Sequence, residues 1–407
     1  MNLRQKIAQE IREHGPMPFS RYMELCLYHP ELGYYSRNAE QFGKAGDFYT
    51  SSDVHAVFGR LLTRQFEEIW RMLGSPDRIE LLELGPGRGL FAQDVLDWSG
   101  KKFPDFFAAL HYSLAEQSPA LRQRLQATLD RYFQIRKVSL TVTSIFDHAN
   151  TTGKGTTSVV PNAISMARVL APEVPIIIFA NEFFDALPVE IVSPQGQLHV
   201  SEKDGRLFES WHPPSPAALE FIDRYSVHPE GAERAEASLI AQCYMSQIAA
   251  AIERGVIVAI DYGYTRQEQL AGRYRGTIAA YRQHSVSTNP YEAPGEQDVT
   301  AHVNFTALAA AAEAKGVQAQ PLVTQSQFLM GIGEHNQFAD VFEDTQLPQE
   351  RAKVALQLKH LVTPAGIGET FHVLIASKGI EPEKVAALSG LMFGKISQEP
   401  HKTKSNQ

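Results

Sequence analysis

Short apolar runs separated by longer mixed segments set the rhythm of the chain. IELLEL (Ile79 to Leu84), HYSLAE (His111 to Glu116), KVSLTV (Lys137 to Val142), PIIIF (Pro175 to Phe179) and GVIVAID (Gly255 to Asp261) read as buried strands. FHVLIASKG (Phe371 to Gly379) reads as a last one. Between them the period changes to that of helices. A helix is expected from about Leu90 to Trp98, and another from Ser118-Pro119, an N-cap with proline at the first helical position, to about Tyr132. Leu239, Ile240, Cys243, Tyr244, Ile248, Ala251 and Ile252 form one apolar stripe, with Gly255 as its stop. Strands alternating with helices imply an α/β fold, a parallel sheet with helices on both faces.

Outside this core the pattern changes. Leu3, Ile7, Ala8 and Ile11 lie at helical spacing among charges of both signs and stop at Gly15, as in an amphipathic helix rather than a signal peptide. Pro188 to Val192 and Gln197 to Val200 flank SPQG as a hairpin would. Segments 148–170 and 204–231 have weak periodicity and many small or turn-forming residues, so loops or insertions are expected there. Asn304 can cap an Ala-rich helix ending near Gly316, and SQEPHKTKSNQ is a polar tail expected to be disordered. The resulting division has an N-terminal helical extension (1–60), the first part of the core (61–203), an insertion (204–231) and a core helix and strand (232–264). An inserted substrate-facing segment (265–355), the final core strand region (356–380) and the tail (381–407) follow.

Composition narrows the function. The 407 residues carry a net charge of −8, which argues against a broad nucleic-acid footprint. No apolar stretch approaches the roughly 20 residues of a membrane span. The two cysteines, Cys26 and Cys243, fit no zinc spacing and suggest a reducing compartment, so a cytoplasmic location is expected. No metal site is expected, and H-E-x-x-H, G-x-S-x-G and P-loop motifs are absent.

LLELGPGRGLF joins the first strand to the first core helix with glycines at 85, 87 and 89. The dinucleotide fingerprint G-x-G-x-x-G needs its third glycine where this chain has Leu90, which disfavours a nicotinamide-dependent oxidoreductase. The spacing after Glu83 instead resembles the cofactor turn of class I S-adenosylmethionine-dependent methyltransferases. A turn without side chains admits the methionine moiety, and a nearby carboxylate suits its ammonium group. Glu116 then falls where an acid can hold ribose hydroxyls, and Asp147 where one can meet the adenine amino group.

Four further stretches place polar groups beside aromatics. GDFYTSSDVHAVFG contains a capped helix start that leaves Asp47, Phe48 and Tyr49 unexplained. FANEFFDALPVE offers Asn181, Glu182 and Asp185 directly after a strand, DYGY offers Asp261 at another strand end, and PGEQDVTAHVNF offers Glu296, Asp298 and His302. Each alone also reads as an ordinary cap, turn or polar loop.

Together with GPMPFSRYMELCLYHPELGYYS and TPAGIGETFHVL, these stretches resemble the MidA-like methyltransferase family, in order, from about residue 15 to 378. The resemblance implies a Rossmann-like class I methyltransferase sheet with an N-terminal helical extension and inserted segments, using S-adenosyl-L-methionine. The family includes a mitochondrial assembly factor for respiratory complex I, which implies methylation of a protein arginine on a respiratory complex subunit. Gly85, Gly87 and Gly89 match the family's cofactor turn, Asn181, Glu182 and Asp185 its N-E-x-x-D stretch, and Asp47 its G-D-F loop. Glu182 and Asp185, with Asp47 or Asp261 facing them, are the expected guanidinium-binding carboxylates. An assembly chaperone that keeps the fold without catalysis is the alternative of a different class.

Overall fold

The computed structural model describes residues 1–36, 56–141, 174–282, 285–287, 289–364 and 366–393. Asp47, Asp147, segment 148–170 and the polar tail lie outside them. The central sheet contains β1 (Ile79–Leu84), β2 (Leu110–Ala115), β3 (Val138–Thr141), β4 (Ile176–Asn181), β5 (Gly255–Tyr264) and β6 (Phe371–Lys378). Their spatial order is β3-β2-β1-β4-β5-β6, with β1 to β5 parallel and β6 antiparallel to β5. The order reverses between β1 and β4, and a crevice outside such a switch point is where open α/β sheets bind ligands.

Helices α1 (Leu3–His14) and α2 (Phe19–Tyr28) form the N-terminal extension, and α3 (Ala56–Met72), α4 (Leu90–Lys102), α5 (Pro119–Thr128), α6 (Leu239–Ala251) and α7 (Phe305–Glu313) follow. The two-residue period of each strand divides its side chains between two cores. Ile177 and Phe179 of β4, with Val256, Val258 and Ile260 of β5, pack toward α3 and α4. Ile176, Ile178, Ala180, Ile257 and Ala259 pack toward α6 and α7. Burying a side chain of this size contributes about 1.5–3 kcal/mol, so the double burial fixes the register of β4 and β5. Asn181 is thereby placed opposite Ile260 at the open edge.

Local signals act as read, with exceptions. Gly15 ends α1 at φ 89° and donates its N–H to Ile11 O; Ser118 caps α5 and Asn304 caps α7. Gly255 is not the stop of α6, which ends at Ala251. It starts β5 instead, where a Cβ would lie 2.2 Å from Ile176 O, so glycine permits the two strands to meet.

Segment 204–231 also departs from the loop expected. Residues 206–212 pair with 197–203 as an outer strand, and Pro216–Tyr225 is a helix capped by Ser215. The hairpin expected from Pro188–Val192 and Gln197–Val200 is formed by Glu190–Ser193 and Gly196–Lys203, and the outer strand extends it into a second sheet with Met17–Pro18 and Ala235–Ala237. Within 265–355, residues 279–282, 285–287 and 298–300 make a small antiparallel sheet. Residues 318–319 and 323–324 pair with β6, so this segment also contributes to the central sheet. Ala280 and Val299 of the small sheet join α1, α2 and the second sheet in one apolar cluster, which holds the extension beside the crevice.

Candidate active site

β1 runs straight into the glycine turn. Gly85, Gly87 and Gly89 have φ of 64°, 54° and 79°, a region L side chains rarely occupy. Gly85 and Gly87 line a cavity of about 270 Å³ at the switch point; Gly89 does not. Gly89 is the N-cap residue of α4, and a Cβ there would meet Leu125 Cδ2 at 2.7 Å. Within the same turn it permits α4 and α5 to pack closely.

Glu83 and Glu116 also line the cavity. Burial pushes the Glu83 carboxyl up to about 8, opposed by the Tyr112 hydroxyl, which donates to it at 2.8 Å. Burial pushes Glu116 up to about 7, although the Ser118 N–H donates to Oε1 at 2.8 Å.

The FANEFFDALPVE segment supplies the facing wall. Phe183, Phe184 and Leu187 are buried beneath it, and the Phe183 ring lies 5.1 Å from that of Tyr244. Glu182 is held at φ 49°, a conformation that costs a residue with a Cβ about 1–3 kcal/mol. Its N–H donates to Ile260 O at 2.9 Å, while Asn181 Nδ2 donates to Glu182 Oε1 at 3.1 Å. Asn181, Glu182 and Asp185 all line the cavity. Burial pushes Asp185 up to about 6 against the influence of the neighbouring Tyr262 hydroxyl. Asp185 Oδ1 and the Tyr262 hydroxyl are both buried and neither has a partner in hydrogen-bond geometry.

Asp261 has a different place from the one expected. It is fully buried and absent from the lining. Its Oδ2 accepts the N–H groups of Phe183, Phe184 and Asp185 at 3.2, 3.0 and 3.3 Å, and Oδ1 accepts that of Tyr262 at 3.0 Å. A carboxylate with its lone pairs so engaged holds the turn in shape and has little left for a substrate. Burial, then Asp185 and Glu182, raise its pKa well above the ordinary carboxylate range.

Two lining residues, Tyr28 and Tyr35, escape a reading based on strand ends. Tyr28 ends α2 and donates to Ala186 O at 3.0 Å; Tyr35 donates to Asp298 Oδ1 at 2.9 Å. Asp298, offered above as a site acid or as part of a polar loop, is buried and lines the cavity with both tyrosines. The signal for the tyrosines was the aromatic-rich turn YHPELGYYS after an amphipathic helix. Glu296 instead pairs at 2.9 Å with Arg282, and His302, lowered to about 4 by burial, lies outside the lining. Among the described residues Arg88 is the single basic side chain along a lining with five acids.

A family model described as S-adenosyl-L-methionine-dependent methyltransferase matches residues 61–323. The chain belongs to this family. It is 30% identical over 391 residues to the mitochondrial protein arginine methyltransferase NDUFAF7 homolog of Drosophila melanogaster, covering 93% of this chain and 85% of that one. It is 28% identical to the Homo sapiens mitochondrial protein arginine methyltransferase NDUFAF7, covering 90% and 81%. A Burkholderia thailandensis protein, solved with S-adenosyl-homocysteine bound, superposes with a TM-score of 0.75 at 25% identity over 95% of this chain and 94% of that one. The protein is thus a methyltransferase with S-adenosyl-L-methionine as its methyl donor. The mitochondrial names of these relatives overturn the cytoplasmic location expected above.

The residues of the crevice fit that donor. It carries an ammonium and a sulfonium charge and a ribose diol, and the lining offers bare backbone at Gly85 and Gly87 with buried carboxyls at Glu83 and Glu116. Among the described residues no helix is long and apolar enough to cross a membrane, and no group of His, Cys, Asp or Glu is arranged to hold a metal.

Proposed function

We propose that this methyltransferase modifies a guanidinium nitrogen of an arginine in a protein, a subunit of a respiratory complex as the resemblance implies. One observation carries the reading: the strained turn at Glu182 presents two carboxyl groups, Glu182 and Asp185, to the cavity that also contains the glycine turn. The relatives named as protein arginine methyltransferases support it.

S-adenosyl-L-methionine supplies an electrophilic methyl carbon on a sulfonium. The chain's own residues prepare the acceptor. Guanidinium is protonated and presents N–H donors in a planar fork, so a carboxylate engages two of them at once. Glu182, oriented by the Asn181 amide, holds the charge on one side of the fork and leaves the opposite nitrogen richer in electrons. Asp185, near 6, takes the proton that the nitrogen releases as it forms the new bond to carbon and the carbon–sulfur bond breaks, its electron pair going to sulfur. Tyr28 and Tyr35 close the cavity from the extension and help exclude water. Gly85, Gly87, Glu83 and Glu116 hold the donor.

Glu182→Gln keeps the shape and removes the charge. Transfer to arginine should fall at least about 100-fold, the scale of losing one electrostatic group in a reaction site, while affinity for S-adenosyl-homocysteine stays within about twofold. Unchanged turnover would overturn the role of Glu182.

A further inference from the structure

The cavity has an outer wall that belongs to none of the parallel strands. Asp298 begins the strand Asp298–Thr300 of the small sheet and is 3% exposed. Tyr35, in a short helical turn at Tyr34–Ser36, donates its hydroxyl to Asp298 Oδ1 at 2.9 Å and so fixes how the carboxyl sits. The Tyr28 ring packs 5.5 Å from that of Tyr35. Tyr281 pairs with Asp298 across the small sheet, and its hydroxyl and that of Tyr28 both feel the charges of Asp185 and Asp298. Asp185 and Asp298 therefore border one space, the first carried by the turn after β4 and the second by the small sheet. An independent observation points to a ligand there. Asp185, also 3% exposed, lines the cavity with its Oδ1 buried and unpaired, and a buried acceptor left so costs about 1–3 kcal/mol.

We infer that Asp298 selects the acceptor: it accepts from guanidinium N–H groups that Glu182 does not engage, and Tyr35 is its positioning residue. This rests on the arginine reading given above and adds how the site tells arginine from lysine. Guanidinium has donors on several edges of one plane and satisfies carboxylates placed on two sides of a cavity. An ammonium is a compact, strongly hydrated point charge and engages them less fully. Tyrosine faces beside the acids favour a flat cation over a neutral side chain.

The test uses the full chain saturated with S-adenosyl-homocysteine and titrates it calorimetrically with agmatine, a small guanidinium, or with 1,5-diaminopentane, an ammonium. Wild type should bind agmatine more tightly. In Asp298→Asn, agmatine affinity should fall about tenfold or more with the preference largely lost, as expected for losing one charged hydrogen-bond acceptor, and S-adenosyl-homocysteine affinity should not change. Tyr35→Phe should show a smaller loss in the same direction, which a purely structural tyrosine would not confine to the guanidinium. An Asp298→Asn variant that keeps the wild-type preference would overturn the assignment and leave the arginine reading standing. A wild type that prefers the diamine would overturn both. If Asp298→Asn loses S-adenosyl-homocysteine binding, Tyr35→Phe decides, and an unchanged preference there counts against the pair.

Discussion

Asp261 gives the sharpest separation between holding a site and acting in it. Its carboxyl is the acceptor for four backbone donors, three of them buried, from Phe183, Phe184, Asp185 and Tyr262. Asp261→Ala leaves these donors without a partner. Each would cost about 1–3 kcal/mol if none found a substitute, but the turn borders a cavity and water can reach part of it, so we expect about 3–5 kcal/mol in total. Asp261→Asn keeps one acceptor oxygen and must turn its amide N–H groups toward either Tyr262 or the turn. The cost is about 1–2 kcal/mol, partly offset by removing a like charge beside Asp185 and Glu182. Urea unfolding followed by circular dichroism should order the three proteins as wild type, Asp261→Asn, Asp261→Ala, with S-adenosyl-homocysteine affinity falling in the same order. Alanine stability equal to wild type would refute the reasoning. So would an asparagine variant of native stability and donor affinity that cannot transfer methyl groups, because Asp261 would then be a catalytic residue.

Gly87→Val meets no neighbouring atom but forces a branched residue to φ 54°, so the protein should fold with a lowered melting temperature and bind S-adenosyl-homocysteine at least about tenfold more weakly. Gly89→Ala, which does not reach the cavity, should instead lose about 1–3 kcal/mol through strain and the contact with Leu125, seen as a lower urea midpoint with smaller change in affinity. Glu83 gives a pH signature. Its folded pKa of about 8 lies above its ordinary 4.5, so the folded chain keeps a proton that the unfolded chain releases. Its contribution is full below about 4.5 and is lost as pH rises through about 8, and Glu83→Gln should flatten that part of the stability profile. A bound ammonium beside Glu83 favours its charged form, so S-adenosyl-homocysteine binding at pH 7 should release protons; calorimetry in buffers of different ionisation enthalpy would measure it, and proton uptake would contradict it.

The central sheet was legible because β1, β4 and β5 are buried on both faces and read as continuous apolar runs. The outer strand Arg206–His212 is half-buried along most of its length and takes its register from residues 197–203, so its own sequence shows little period. The acids at the ends of β1, β2 and β4 were legible for a related reason: a parallel sheet collects strand ends on one edge. Sequence order could not separate the roles of those acids. Asp261 acts on residues 76 to 78 positions earlier, and its neighbours Glu182 and Asp185 look equally polar on paper. Asp298 meets Tyr35 across 263 positions, through the cluster that seats the extension, and neither spacing nor local period records that contact.

The central claim is methyl transfer to arginine from the cavity at the β1–β4 switch point. Its most direct test incubates the purified protein and methyl-labelled S-adenosyl-L-methionine with lysate from cells lacking this chain, then hydrolyses the proteins and separates the labelled amino acids. The account predicts label in methylated arginine, abolished by Glu182→Gln. Label in methyl-lysine, or arginine label undiminished in the variant, would contradict it.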